Sequence, residues 1–393
     1  MLLQTNADPP IVLVDPVRLL PRYWATAWAC NAPTKFLARN TLKVHLRHLA
    51  AFYEHCDQRY GVDSLDAAIS TRNAQAFQSM VDSFYIELTA AATYTTTTTQ
   101  RWDSVRRFAK AIAQRRSAYT DGWREVSRLL DTMSAIRPPM RGRFKFARAL
   151  PVSTLRDLLE VAAPGSPRNP FVGESIQLRN WFIVNLLLLC GLRRGEALLL
   201  AVDALKREVD PDSGEMVYWL DVTTTTEDDD VRATRPSMKT TQSHRQIPVS
   251  ESLAALYDLY LADARVPSAR HGFLLAARSG SPLSAESLNQ MTRDLTGALR
   301  PDALQRFRER TGGKEHVSPH DLRHTCATAR YSMFMAAEPN RELTLQRMRA
   351  FFGWSLTSEM PELYARAAVQ DDLLRSWKRL FDDRVSLLRS LEP

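Results

Sequence analysis

Apolar residues in the first third of the chain recur every three or four positions, the spacing of one helix face. Leu42, Leu46, Leu49 and Phe52 form one stripe, Phe77, Met80, Val81, Phe84 and Leu88 a second, and Trp102, Val105, Phe108, Ala109 and Ile112 a third. Each predicts a helix with one side turned to a common core. Around the third stripe, Arg101, Arg106, Arg107 and Lys110 fill the remaining faces. A helix anchored by its apolar side can offer such groups to a phosphate backbone, although a solvated charged face explains them equally well. The run Thr95 to Thr99 is β-branched and low in complexity, which predicts a loop or a frayed helix start.

Helical patterning stops at Arg137-Pro138-Pro139-Met140-Arg141-Gly142-Arg143, where two prolines and a glycine intervene. Arg141, Arg143, Lys145 and Arg148 make this stretch basic. The expected organisation is a helical, DNA-binding first domain over 1–136, an extended basic linker over 137–150 able to lie along DNA, and a second domain over 151–393. The second domain opens with a Ser/Thr cap in Pro151-Val152-Ser153-Thr154, ahead of Leu155, Leu158, Leu159 and Val161. Its longest apolar run, Trp181 to Cys190, contains Asn185 and has about half the length that crosses a bilayer, so it predicts a buried helix and no membrane partner.

A strand pattern appears only in this second domain. Leu205 to Val209, a turn at Asp210-Pro211-Asp212-Ser213-Gly214, and Met216 to Val222 predict a hairpin, with Gln246-Ile247-Pro248-Val249 as a further short strand. The fold class is therefore mainly α with a small antiparallel β-sheet in the C-terminal domain. Between the last two strands lie Glu227-Asp228-Asp229-Asp230 and then Met238-Lys239-Thr240. Carboxylates repel a phosphate backbone, so the acidic stretch is expected to project into solvent, or else to fold over the neighbourhood of Lys239 while DNA is absent.

Length and charge sharpen this picture. A chain of 393 residues suggests two domains, each with its own core. Lys and Arg number 52 against 44 Asp and Glu, and residues 101–150 alone hold thirteen basic against four acidic side chains. A polyanionic partner follows. The four cysteines, Cys30, Cys56, Cys190 and Cys326, show neither CxxC spacing nor the density of a disulfide scaffold, and no signal-peptide pattern precedes them. A cytoplasmic setting is expected.

The chemistry concentrates in His320-Asp321-Leu322-Arg323-His324. His320 and Arg323, three residues apart, can reach one phosphate from a single helical turn. Upstream, Gly191-Leu192-Arg193-Arg194-Gly195-Glu196 offers a second arginine, Arg193, which Glu196 can orient by a salt bridge. Downstream, Tyr364 stands alone in Glu362-Leu363-Tyr364-Ala365-Arg366, with Tyr331 its only competitor after residue 300. Phosphodiester cleavage by transfer to a side chain needs a nucleophile, groups that neutralise the non-bridging oxygens, and an acid for the leaving oxygen. Two guanidinium forks suit the second task. His316, His320 and His324 also form an HxxxHxxxH series, but Pro319 argues against one continuous helix and no HExxH is present. Neither a metal nor a cofactor is implied.

The GLRRGE and HDLRHT segments and a terminal tyrosine after Phe352-Gly353-Trp354, in this order with a lysine in the β region, resemble a tyrosine recombinase of the phage integrase family over about residues 150–370. The resemblance implies a two-domain DNA clamp acting through a 3′-phosphotyrosyl intermediate without metal or nucleotide. It implies that Arg193 and Arg323 hold the scissile phosphate, and that His320 is proton acceptor or phosphate ligand. Trp354 then stands where most members have histidine, Lys239 is the general acid, and Tyr364 is the nucleophile. Glu196 and His324 support them. Double-stranded DNA with an inverted-repeat core site is the implied partner, in integration, excision or resolution of a mobile element. The terminal stripe Leu373, Leu374, Trp377, Leu380 and Phe381 would dock on a neighbouring protomer in a tetrameric synapse. A type IB topoisomerase-like relaxing enzyme and a sequence-specific DNA-binding protein with decayed catalysis are the alternatives. The Trp354 to Tyr364 interval, one residue longer than usual in the family, supports the second.

Overall fold

All three apolar stripes of the first domain turn out to be buried faces of helices. The computed structural model describes residues 1–393 except 6–7, 32–33, 91–94, 118–119, 136–148, 224–229, 231, 233–235, 237–242, 269, 367 and 370–393. The chain divides into two compact units, Met1–Phe144 and Lys145–Pro393. The expected linker lies largely outside the described residues, as do Arg141, Arg143, Lys145, Lys239 and the stripe from Leu373 onward.

The first unit begins with strands β1 (Leu2–Gln4) and β2 (Ile11–Leu13), paired antiparallel with Leu2 opposite Leu13. Each is three residues long, too short to show a periodicity, and the hairpin went unanticipated. Among the described residues six α-helices follow: α1 (Tyr23–Ala29), α2 (Arg39–Tyr60), α3 (Ser64–Ser70), α4 (Ala74–Ala90), α5 (Thr96–Arg116) and α6 (Asp121–Ala135). Leu46, Leu49 and Phe52 of α2, Phe77 of α4 and Val105 and Phe108 of α5 meet in one core at 0% exposure. The threonine run differs from expectation. Thr95 caps α5 by accepting from the Thr98 backbone N–H, and the Thr98 hydroxyl accepts from the Thr95 N–H. Hydroxyls that weaken a helix interior satisfy the orphan donors of its first turn, so Thr96 to Thr99 are helical.

The second unit comprises α7 (Val152–Ala162), α8 (Glu174–Cys190), α9 (Arg194–Leu199), β3 (Leu205–Val209), β4 (Met216–Val222), β5 (Arg245–Val249), α10 (Glu251–Asp263), α11 (Ala285–Gly297), α12 (Pro301–Thr311), α13 (Pro319–Ala337) and α14 (Arg341–Phe352). The strands form one antiparallel sheet in sequence order, with Leu205 opposite Leu220 and Leu220 opposite Ile247. The hairpin has the predicted bounds. Helix α8 packs against α10 and α13. Phe182, Ile183, Val184, Leu186 and Leu187 are all fully buried, as the run from Trp181 predicts. The Asn185 amide is accommodated by donating to the Trp181 carbonyl at 2.9 Å. Among the described residues no helix is long and apolar enough to cross a membrane.

Two expectations are corrected in this unit. The start of α7 carries no Ser/Thr cap: Pro151 occupies the cap position without a side-chain hydrogen bond, and Ser153 and Thr154 lie inside the helix, where the Thr154 hydroxyl donates to the Ala303 carbonyl at 2.9 Å. Asp230 does not project into solvent: it is 7% exposed and receives Arg232, itself 8% exposed, through Nε at 2.8 Å and Nη2 at 2.7 Å. Arg232 continues to the Leu198 carbonyl at 2.9 Å and lies over the Phe273 ring. The carboxylate is buried because a guanidinium with further acceptors is buried with it. Residues 227–229 lie outside the described residues.

Candidate active site

Two helix ends meet where the phosphate-binding side chains were expected. Helix α8 stops at Gly191, whose φ of +57° is the left-handed conformation common just past a helix C-terminus. A Cβ there would overlap the Phe352 ring and stand 3.0 Å from Cys326 Sγ, so glycine is needed for both backbone and space. Helix α14 likewise ends on Gly353, at φ +60°. The last carbonyls of a helix lack intrahelical donors and favour cations. Here three consecutive ones take three different arginines: Phe351 accepts from Arg245 Nε at 2.7 Å, Phe352 from Arg323 Nη2 at 2.9 Å, and Gly353 from Arg193 Nη2 at 3.5 Å.

Glu196 is the counter-charge at the centre, 1% exposed on α9. Its Oε1 receives Arg193 Nη1 at 2.5 Å. Its Oε2 receives the Arg193 backbone N–H at 2.9 Å and Arg245 Nη2 at 3.0 Å, while Arg323 Nη1 stands 3.6 Å away. Burial raises the Glu196 pKa, and Arg245, Arg323 and Arg193 outweigh it, leaving the carboxyl below its ordinary value. Arg323 is 2% exposed and also donates to the Gly191 carbonyl. Burial first, then the neighbouring Arg193, lowers its pKa to about 10, still well above neutral pH.

Helix α13 presents the histidines. Pro319 is its first residue and Ser318 its cap, so His316 lies before the helix and the three histidines do not share it. Asp321, 1% exposed, accepts from the Ser318 backbone N–H and hydroxyl, both at 2.7 Å, and pairs with Lys314. This box fixes the turn that carries His320 and Arg323. His320 is exposed. His324 is 4% exposed, with its ring centroid 4.2 Å from that of His320. Among the described residues, no three His, Cys, Asp or Glu side chains are grouped to hold a metal ion.

Tyr364 lies in a helical stretch at 360–366, held to α14 by Arg349 Nη2 donating to Glu362 at 3.0 Å. Its hydroxyl is 2.5 Å from His324 Nδ1, and its ring stacks on Trp354 at 5.4 Å and 10°. Trp354 stacks in turn on Phe352, and Arg323 lies over both rings.

Arg193, Glu196, Arg323, His320, His324, Trp354 and Tyr364 are thus gathered by α8, α9, α13, α14 and the stretch at 360–366. Lys239 lies outside the described residues. Lys206, on β3, pairs with Asp203 at 3.0 Å. In the first unit, Arg107 is exposed and Arg101 and Arg106 are half-buried, whereas Lys110 pairs with Asp131 of α6. Sequence reasoning missed Arg245, Ser243, whose hydroxyl accepts from Arg193 Nη1 at 3.3 Å, and Lys314. One signal was available. Arg245 shares the strand face of Ile247, two residues on and 0% exposed, and an arginine on a core-facing strand position needs a buried partner.

The sequence model of the phage integrase family matches residues 154–368, more than half of the chain. No curated protein matches it. Among solved structures, XerA recombinase is similar at 15% identity, covering 90% of this chain and 97% of that one, with a TM-score of 0.36. XerH site-specific recombinase bound to palindromic difH substrate in a post-cleavage complex is similar at 13% identity over 91% and 92% of the two chains, with a TM-score of 0.44. The integrase from mycobacterium phage Brujita is similar at 14% identity over 88% and 89%, with a TM-score of 0.27.

Proposed function

Because the chain belongs to the phage integrase family and is a tyrosine-type site-specific recombinase, we propose that Tyr364 is the nucleophile that cleaves one DNA strand and holds it as a 3′-phosphotyrosyl intermediate. The observation that supports this most is the placement of the Tyr364 hydroxyl 2.5 Å from His324 Nδ1, with the Tyr364 ring stacked on the Trp354 ring that Arg323 also lies over. Tyr364 Oη forms a bond to phosphorus as the bond to the 5′ oxygen breaks. The tyrosine proton passes to His324, and Lys239 supplies a proton to the departing oxygen. Arg193 and Arg323 hold the non-bridging oxygens, where planar forks on a buried base stabilise charge that grows in the transition state. His320, exposed beside His324, binds the phosphate from the open side. Trp354 packs Tyr364 and can donate through its indole N–H but cannot shuttle protons. Because the phosphotyrosyl bond retains the phosphodiester's energy, attack by a 5′ hydroxyl of another strand reverses the step without fuel.

The DNA is double-stranded and carries an inverted-repeat core site. Arg101, Arg106 and Arg107 of the first unit and Arg141, Arg143 and Lys145 of the connecting segment contact its backbone, and the stripe Leu373, Trp377 and Phe381 docks on another protomer in a tetrameric synapse. The reaction serves integration, excision or resolution of a mobile element in the cytoplasm. A nicked suicide substrate on a denaturing gel tests the nucleophile: Tyr364→Phe, which keeps the ring and loses the oxygen, forms no slow-migrating adduct while still binding DNA. An adduct with the variant would refute the assignment. A companion test addresses Lys239: Lys239→Ala cleaves poorly on normal DNA and recovers on a 5′-bridging phosphorothiolate, whose sulfur leaves unprotonated. Arg323→Ala does not recover.

A further inference from the structure

Arg245 heads β5 with a side chain only 6% exposed, and no motif announces it. Its guanidinium makes three bonds in three directions: Nε to the Phe351 carbonyl at 2.7 Å, Nη1 to the Ser243 carbonyl at 2.8 Å and Nη2 to Glu196 Oε2 at 3.0 Å. It thus ties the sheet to α9 and to the end of α14. The two other arginines on that helix end, Arg193 and Arg323, are the ones assigned above to the phosphate, and the inference rests on that assignment.

The arrangement around Glu196 Oε2 shows what Arg245 does for them. A carboxylate oxygen has two lone-pair directions, and both are filled, by the Arg193 backbone N–H and by Arg245. Arg323 Nη1, at 3.6 Å from the same oxygen, is attracted but stands beyond hydrogen-bond length. It is held instead by the Gly191 and Phe352 carbonyls. Without Arg245, a buried anion 3.6 Å from a guanidinium would have an empty lone pair, and Arg323 would close onto it. The Phe351 carbonyl would lose its donor at the same time, loosening the turn whose next two carbonyls hold Arg323 and Arg193. Only a planar fork can satisfy Phe351, Ser243 and Glu196 at once, since an ammonium is a point charge on a flexible stem.

We infer that Arg245 is a positioning residue of the recombinase site: it saturates Glu196 and pins the end of α14, which keeps Arg323 aimed at the scissile phosphate.

The test is single-turnover adduct formation by the full chain on suicide substrates carrying either a normal scissile phosphate or a methylphosphonate. In the latter a neutral methyl replaces one non-bridging oxygen, so less charge must be held by arginines. Arg245→Lys, which leaves Glu196 with a buried cation, is the principal variant, with Arg245→Gln beside it and melting temperature and DNA affinity measured for each. Arg245→Lys is expected to bind DNA and melt like the parent and to cleave the normal substrate at least about 10-fold more slowly. On the methylphosphonate the deficit shrinks to less than about 3-fold. In a Glu196→Gln background, which removes the anion that captures Arg323, adding Arg245→Gln costs less than about 3-fold more. Parental cleavage by Arg245→Lys, or the same deficit on both substrates, overturns the inference. Arg193→Ala and Arg323→Ala separate the two levels: if they cleave normally the phosphate assignment itself fails, and if they are inactive while Arg245→Lys is not, only the role of Arg245 fails.

Discussion

Tyr364 Oη and His324 Nδ1 lie 2.5 Å apart across 40 residues of sequence, both side chains almost fully buried. That contact separates the roles of two histidines that share one helical turn, since His324 touches the tyrosine while His320 faces outward. His324→Leu is expected to slow adduct formation about 100-fold, the scale of a lost proton acceptor. His324→Asn, whose side-chain oxygen can stand near the place of Nδ1, retains more of the rate. Single-turnover cleavage distinguishes them. Equal loss in both variants would mean that His324 serves only as packing.

Gly191 combines a left-handed backbone with a close approach to Phe352 and Cys326, and its carbonyl holds Arg323. Gly191→Ala should lose about 1–2 kcal/mol to the backbone and a further 1–3 kcal/mol or so to overpacking. Gly313 also has a positive φ, +89°, but nothing lies within 4 Å of its Cβ position. Gly313→Ala therefore pays the backbone cost alone. Urea unfolding of both variants measures the difference, and cleavage should fall only for Gly191→Ala.

Removing Arg232 leaves Asp230 buried without its cation. Arg232→Met is expected to destabilise the second unit by about 3–5 kcal/mol, and the double change with Asp230→Leu to recover most of this, because a buried pair is costly to break yet replaceable by apolar volume. Thermal melts report both. A small effect of Arg232→Met would show that Asp230 reaches water.

The depressed pKa of Glu196 fixes the sign of an acid dependence. A carboxyl that holds its proton less tightly when folded favours the fold while ionised. Its contribution is complete above the unfolded value of 4.5 and is lost as pH falls through the lower folded value. Asp157 behaves alike: burial raises its pKa, and Arg168 and Arg300 more than offset this. The urea midpoint should therefore drop as pH falls below about 4.5, and Glu196→Gln should flatten that limb. An unchanged slope in the variant would contradict the link.

Local chemistry was legible in the sequence, and distant chemistry was not. The hairpin of Leu205–Val209 and Met216–Val222 could be bounded because its turn residues lie between the strands. Arg193, Glu196, His320 and Arg323 stand in short segments whose spacing carries their geometry. Arg245 meets its partners at Glu196 and Phe351, 49 and 106 residues away, and Ser243 meets Arg193 across 50. No window along the chain contains such pairs. The Asp230 misreading had the same origin, because Arg232 is only two residues on but its burial depends on the Leu198 and Leu283 carbonyls.

The most direct measurement is the identity of the residue that carries DNA. Adduct trapped on a nicked suicide substrate, digested with nuclease and protease, should yield one modified peptide in the mass spectrometer, spanning Tyr364 and bearing a nucleotide linked through its 3′ phosphate. Modification at Tyr331 or another residue, or linkage through a 5′ phosphate, would contradict the account.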